Sequence, residues 1–336
     1  MKYYVLTFCS GLLGVWLFHV LHLPIPWMLG PLFTVFLLQF FTPLPLRWHR
    51  YFRDIGLILV GLSLGDYFTT EVFQAVPSLL PKIFILNAVL ISFSVVLAYV
   101  TAKWCHIDFA TALVASIPGG LSQLVIFAEE RQSIHVSIVT YFHVVRVILV
   151  VSLVPLLLST NSVQHNVMQA ANPVTLGTIL LLVIGYIAMR IGTRLRMPVP
   201  AFLAPLFVVL LLNFFAIPHA YISVELVHLA QLFVGCHIGL SLTRKEMHLS
   251  KRLLAMGVVS AILLMIVTLV TGYGLSVWYD ISFATAFLSL APGGLDQMSV
   301  IALSIGGNVA FVTVFQLFRI LIIYSIVLPA LQYSIK

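Results

Sequence analysis

The sequence predicts an all-α polytopic membrane protein made of two inverted repeats, with about ten transmembrane helices and a Pro-Gly-Gly-broken or re-entrant helix in each repeat. Three observations carry that expectation. Of the 336 residues, 61% are hydrophobic and 8% charged, whereas soluble domains are about a quarter charged. Apolar runs close to the ~20 residues that a helix needs to cross a ~30 Å hydrocarbon core recur from one end to the other. The chain also matches itself at a shift of 174 residues.

The self-match is carried by three stretches. HLPIPWMLGPLF (22–33) lies over RMPVPAFLAPLF (196–207), with 6 of 12 positions identical. LVGLSLG (59–65) lies over FVGCHIG (233–239), keeping both glycines. FATALVASIPGGLSQ (109–123) lies over FATAFLSLAPGGLDQ (283–297), with 9 of 15 identical. After one single-residue gap Arg146 falls on Arg319 and His143 on Gln316. Residues 1–158 form the first membrane repeat, 159–171 an uncharged polar linker, and 172–336 the second repeat.

Each copy holds six apolar segments. In the first they run 3–22, 25–42, 55–70, 77–102, 108–130 and 133–158. In the second they run 172–192, 197–215, 222–243, 250–278, 282–305 and 308–331. The first segment, after Lys2, looks superficially like a signal peptide. Its counterpart deep in the second copy marks it as a retained span. The third segment is short and rich in glycine from Gly56 to Gly65. The fifth carries Pro118-Gly119-Gly120 or Pro292-Gly293-Gly294 at its middle, where proline removes a donor and glycine is a poor helix former. The sixth carries an arginine about halfway along.

Loop charges decide the relative orientation of the copies. If all six segments cross in each copy, the copies are parallel, and Arg190, Arg194, Arg196, Arg244, Lys245, Lys251 and Arg252 all fall outside. If an odd number cross, the second copy is inverted and 13 of the 17 basic residues lie inside, as the positive-inside rule prefers. The fifth segment is the one expected not to cross fully, with both termini cytoplasmic.

Several function classes are excluded. A net charge of +7 could suggest nucleic acid, but the basic residues sit in short clusters between apolar runs and orient the chain instead. Cys9, Cys105 and Cys236 form no CxxC pair, so neither a disulfide framework nor a zinc site is expected. Of the eleven histidines only His19 and His22 are closely spaced, and no metal or other cofactor is expected. No GxSxG, HExxH, Walker loop or hydrolase-like acid pair is present, and the chain is not expected to be an enzyme. Trp16, Trp27, Trp48, Trp104 and Trp278 lie near span ends, where interfacial anchors sit. The expected partners are a small-molecule or ion substrate and the lipid bilayer, with a homo-oligomer left open.

The candidate site gathers at the two Pro-Gly-Gly segments. Irregular backbone at membrane depth is tolerated where protein or a water-filled cavity covers it, and transporters place such helix ends at a midplane substrate site. Helices starting after Gly120 and Gly294 would offer N–H groups to an anion. Gly119, Gly120, Gln123, Gly293, Gly294 and Gln297 are therefore candidate substrate-binding residues, with Arg146 and Arg319. An arginine in mid-membrane costs roughly 2.5–3.5 kcal/mol on insertion scales, so it needs a partner or a cavity. Each guanidinium either receives a carboxylate or phosphate oxygen, or bridges to Asp296 or to carbonyls freed at the breaks. Asp296, where the first copy has Ser122, is either an ion-coupling group or the N-cap of the following helix.

Together, the Pro-Gly-Gly-Leu-x-Gln repeats, the IPWMLGPLF and VPAFLAPLF stretches and Gln316-Leu-Phe-Arg319 resemble the AbrB-type membrane protein family. That family carries an internal AbrB duplication and the labels ammonia monooxygenase and regulator of aidB expression. It is distinct from the small soluble DNA-binding regulator of the same name. The resemblance covers nearly the whole chain and implies a bacterial inner-membrane protein organised like cation/proton antiporters and anion transporters. Such proteins often carry an Ala-Asp-like turn after the first break, where this chain has Glu129-Glu130-Arg131-Gln132-Ser133. The monooxygenase label finds no clustered histidine or carboxylate site in the residues. A secondary transporter of a small organic anion is the expected function, with a membrane sensor of gene expression as the alternative.

Overall fold

The computed structural model describes residues 2–42, 44–68, 70–119, 121–129, 131, 133–158, 175–241 and 249–334. Among these the chain is all-helical. The first copy forms α1 (Lys2–Val20), α2 (Pro26–Phe41), α3 (Arg50–Gly65), α4 (Thr70–Cys105), α5 (Phe109–Ser116), α6 (Leu121–Glu129) and α7 (Val136–Leu158). The second forms α8 (Leu176–Arg194), α9 (Pro200–Phe214), α10 (Val224–Gly239), α11 (Lys251–Tyr279), α12 (Phe283–Leu290), α13 (Leu295–Ser304), α14 (Val309–Ile322) and, after one widened π-type turn at Ile323–Val327, α15 (Leu328–Ser334). The linker 159–171, Arg244 and Lys245 lie outside the described residues.

Helix starts follow local chemistry. The Asp108 carboxylate accepts the Thr111 backbone N–H at 2.6 Å, and the Ser282 hydroxyl accepts the Thr285 N–H at 3.2 Å. The same register position therefore caps α5 and α12, each satisfying a donor that the first turn leaves free. Pro26 and Pro200 open α2 and α9, where a missing N–H costs nothing. The residues before them, Ile25 and Val199, adopt left-handed backbone with φ of 47° and 43°, a strained choice for β-branched side chains.

Six helical stretches are long and apolar enough to cross a membrane: Lys2–Val20, Val76–Cys105, Val136–Leu158, Leu176–Arg194, Lys251–Tyr279 and Val309–Leu331. By that measure the described helices give fewer crossings than the ten or so expected. Helices α2, α9 and α10 are apolar but run only 15–16 residues, about 24 Å at 1.5 Å per residue. The long helices show apolar faces to their surroundings. On α8, Leu176, Leu180, Ile184, Ile187 and Ile191 are 45–73% exposed along one helical stripe, a surface suited to hydrocarbon rather than water. Trp16, Trp104 and Trp278 are exposed as anchors would be. Trp27 instead stacks on His228, and Trp48 donates through Nε1 to the Phe233 carbonyl at 3.1 Å, so these two are packing residues.

The chain forms two compact units that cut across the sequence repeats. The first comprises residues 1–75, 159–241 and 303–310, and so takes α1–α3 and α8–α10. The second comprises 76–158, 242–302 and 311–336, with the later helices of both copies.

In the first unit the copies pack reciprocally. A Cβ on Gly61 of α3 would lie 2.3 Å from the Phe202 carbonyl oxygen of α9. A Cβ on Gly235 of α10 would lie 2.5 Å from the equivalent Met28 oxygen of α2. One turn later Gly65 approaches Leu206 and Val209, while Gly239 approaches Leu32 and Val35. Each copy's third helix thus lies glycine-first on the other copy's second helix, backbone against backbone.

In the second unit α7 packs on α5, α6 and α11, and α11 packs on α12. Tyr141 of α7 lies over Gly257 and donates its hydroxyl to the Leu254 carbonyl at 2.9 Å. This packing fixes the helix that carries Arg146 against the first Pro-Gly-Gly segment.

Candidate functional site

Helix α5 stops because Pro118 cannot continue it. The last turn closes with Ile117 N–H on the Leu113 oxygen at 3.1 Å, and Gly119 N–H returns to the Ile117 oxygen at 2.9 Å. The second copy repeats this: Ala291 N–H reaches Phe287 and Gly293 N–H reaches Ala291, both at 2.8 Å. A three-residue turn centred on proline suits its fixed φ. The middle glycine lies under the side chain five residues on. A Cβ there would come within 2.6 Å of Leu124 Cδ1 at Gly119 and 2.5 Å of Met298 Cε at Gly293.

These turns leave helix-end carbonyls without intrahelical donors, and the arginines supply them. Each arginine lies ten residues into a 23-residue span, about 15 Å from its start at 1.5 Å per residue. Arg146 Nη1 donates to the Ser116 and Ile117 oxygens at 3.3 and 3.1 Å. Arg319 Nη1 donates to the equivalent Leu290 and Ala291 oxygens at 3.2 and 2.7 Å. Arg319 Nη2 donates further to Gly293 O at 2.8 Å and to Gln316 Oε1. Of the alternatives open at the sequence level, the carbonyl bridge is the one these guanidinium groups make.

Gln316 completes the second clamp. Its Nε2 donates to the Leu288 oxygen at 2.7 Å and the Ala291 oxygen at 3.1 Å. The residue four beyond Leu288 is Pro292, which has no N–H to give, so the glutamine side chain replaces the missing helical donor. The first copy has no such clamp. His143 directs Nδ1 at the Val139 carbonyl of its own helix, 2.9 Å away. His143 Nε2, Ser116 Oγ and Arg146 Nε are buried without a hydrogen-bond partner. In the second clamp Arg319 Nε is likewise unpartnered.

Helix α13 begins at Leu295, so Asp296 lies inside its first turn and not at the N-cap position. Gln297 Oε1 accepts the Gly294 N–H at 2.7 Å, the reach-back half of a capping box, and Asp296 sits in the first turn, where a carboxylate faces the helix dipole favourably. The Gly294 N–H is therefore occupied by protein rather than left for an anion. Gly120 and the Gln123 side chain lie outside the described residues.

Both arginines belong to the second unit. Gly119 also faces the other copy's last helix, its Cβ position 3.7 Å from Ile323 Cγ2. Arg146 and Arg319 are 3% and 2% exposed, and no Asp or Glu is comparably buried among the described residues. Sequence reasoning marked the arginines but missed Ser116 and Gln316's clamp. The signal for Gln316 was its three-residue spacing from Arg319, which puts both on one helix face.

Comparison with known proteins decides the family. The family model described as "Transition state regulatory protein AbrB" matches residues 27–334. The chain belongs to the AbrB family. Relatives include YhjN of Bacillus subtilis (strain 168), an uncharacterized protein, 23% identical over 91% of this chain and 86% of its own length. A protein of Escherichia coli (strain K12) that carries the name AbrB is 23% identical over 90% of this chain and 88% of its own. No solved structure matches.

Proposed function

We propose that this AbrB-family protein is a secondary transporter that carries a small organic anion across the bacterial inner membrane by alternating access, with no chemical step. In this reading the copies are inverted, about ten segments cross, and both termini are cytoplasmic. The Pro-Gly-Gly segments are broken helices facing each other near the midplane, as in other transporters built from inverted repeats. The observation that carries the proposal is the pair of buried arginines beside those segments without a comparably buried acid among the described residues. Two buried cations in a low-dielectric interior favour an anionic guest. Asp296, in the first turn of α13, is the candidate group for coupling to protons or Na⁺.

The test is flux. Purified protein in liposomes is expected to take up labelled small carboxylates above empty liposomes, and Arg146→Ala is expected to insert and remain monodisperse but lose uptake. Normal uptake by Arg146→Ala would remove that arginine from the path. Absence of uptake of any anion, under either a proton or a Na⁺ gradient, refutes the transporter reading. The name of the Escherichia coli relative, which proposes it as a regulator, supports a membrane sensor as the second reading. A sensor would retain its expression phenotype in variants that bind the anion but do not move it.

A further inference from the structure

The first unit carries its cationic side chains at one end. Helix α3 runs parallel to α9, since Gly61 meets Phe202 and Gly65 meets Leu206 and Val209. Helix α8 runs antiparallel to α9, with Gly192 on Pro200 and Ala204, and Gly177 on Ala220 beyond the end of α9. The start of α3, the end of α8 and the start of α9 therefore share one end of the unit. The start of α1 joins them, because Thr7 Oγ1 donates to the Arg47 oxygen at 2.9 Å. Lys2, Arg47, Arg50 and Arg53 lie at that end through α1 and α3. Arg190, Arg194 and Arg196 lie there through α8, and the unit's sequence holds no other Lys or Arg.

The two groups of arginines differ in what they meet. Arg50 and Arg53 approach Asp54 at 4.0 and 2.7 Å, and Arg47 lies over the Tyr3 ring. Arg190, Arg194 and Arg196 are exposed and pair with no acid among the described residues. They close the helix that is the least buried of the six long ones. Its outward stripe runs through Ile184, Ile187 and Ile191 to Leu195, which is 70% exposed. Arg190 and Arg194 each sit three residues from a stripe isoleucine, so they edge the stripe one helical turn apart.

This face is not built for another helix. Gly185 and Gly192, the small residues that would let a backbone approach, turn inward onto Ile58 and Leu62 of α3 and onto Ala204 of α9. A second copy lying alongside in the same orientation would also set like charges against each other. Acyl chains need no small residues, and a phosphodiester answers the arginines, whose planar forks of N–H donors match phosphate oxygens. We propose that the outward face of α8 binds an anionic phospholipid, its acyl chains along Ile184, Ile187 and Ile191 and its phosphate on Arg190 and Arg194. Arg196, in the turn after the helix, adds positive potential beside the headgroup. The inference stands apart from the transporter reading and does not depend on it.

The experiment titrates the detergent-solubilised full chain with dioctanoyl phosphatidylglycerol, dioctanoyl phosphatidylcholine or inorganic phosphate, and reads affinity from the shift in thermal unfolding. Phosphatidylglycerol is expected to bind about tenfold more tightly than phosphatidylcholine, whose choline cancels the phosphate charge. Inorganic phosphate, with no acyl chains, is expected to give no shift at the same concentrations. The double variant Arg190→Gln/Arg194→Gln changes exposed side chains, so it is expected to unfold like wild type without lipid and to lose the preference for phosphatidylglycerol. Arg47→Gln/Arg50→Gln removes equal charge from the same end and is expected to keep that preference. Equal binding of the two lipids, no shift with either, or phosphate binding as tight as phosphatidylglycerol overturns the ligand. Equal loss of preference in both double variants assigns it to charge spread over the whole end and overturns the site on α8. A two-copy wild-type particle that Ile184→Gln/Ile187→Gln converts to one copy, read by light scattering, gives the stripe to a second copy and overturns the lipid.

Discussion

Replacing Gln316 with leucine isolates the role of the second clamp, because it removes no charge and changes volume little. Two donations disappear, to the Leu288 and Ala291 oxygens, together with an acceptor for Arg319 Nη2. Ala291 keeps its Arg319 bond at 2.7 Å, so it is not stranded. Leu288 is, since Pro292 offers no N–H, and a stranded buried carbonyl costs about 1–3 kcal/mol. The lost charge-assisted bond of Arg319 adds roughly 1.5–3 kcal/mol. Burying leucine in place of the amide returns about 1 kcal/mol, for a net loss of about 2–5 kcal/mol. His143→Leu, at the equivalent position, removes the Nδ1 bond to the Val139 carbonyl of its own helix and an approach to the Ile117 carbonyl, which keeps its Arg146 donor, so about 1 kcal/mol is expected. Urea unfolding of both variants in micelles, without added anion, reads the difference. If His143→Leu costs as much as Gln316→Leu, the asymmetry between the two clamps is refuted.

Other outcomes follow from the packing and the charges. Gly61→Ala and Gly235→Ala each drive a methyl to within 2.3–2.5 Å of a backbone oxygen and are expected to cost about 1–3 kcal/mol as overpacking. Gly274→Ala meets nothing within 4 Å and is expected to be neutral or stabilising by up to about 1 kcal/mol; equal unfolding midpoints for all three would contradict the reciprocal approach. Asp66 follows α3 and bonds His219 Nε2 at 2.9 Å. Burial raises its carboxyl above the ordinary 3.8, more than its bonds to His219 and Asn213 lower it. The folded chain therefore binds this proton more tightly than the unfolded one, so acidifying through the raised value stabilises, and the gain is complete below 3.8. Asp66→Asn is expected to be at least as stable as wild type near neutral pH and to flatten that part of the pH profile. A profile that keeps its slope in the variant assigns it to another group.

The duplication made much of this legible. A single capping position, occupied by Asp108 and Ser282, a single stop at Pro118 and Pro292, and arginines in matching columns are local features that a repeat shows twice. Packing partners were not legible, because Gly61 and Gly235 read only as matched glycines in a short apolar segment until the facing backbone is known. Their partners, Phe202 and Met28, lie in the other copy, and no local pattern encodes which copy supplies the surface. The same holds for the compact units: a repeat in sequence is equally compatible with two side-by-side halves and with halves that exchange helices.

The direction of the guanidinium groups was open for a different reason. Proline was recognised as freeing carbonyls, and arginine as needing partners, but the same residue pattern serves a ligand or a backbone clamp. What separates them is the count of donors against acceptors around each turn. In the second copy the two side chains fill the helix-end carbonyls and each other. In the first, serine and histidine in place of leucine and glutamine add hydrogen-bonding capacity that the fold does not use. Columns 116/290 and 143/316, two of those at which the copies differ, are therefore where one shared turn acquires different hydrogen bonding.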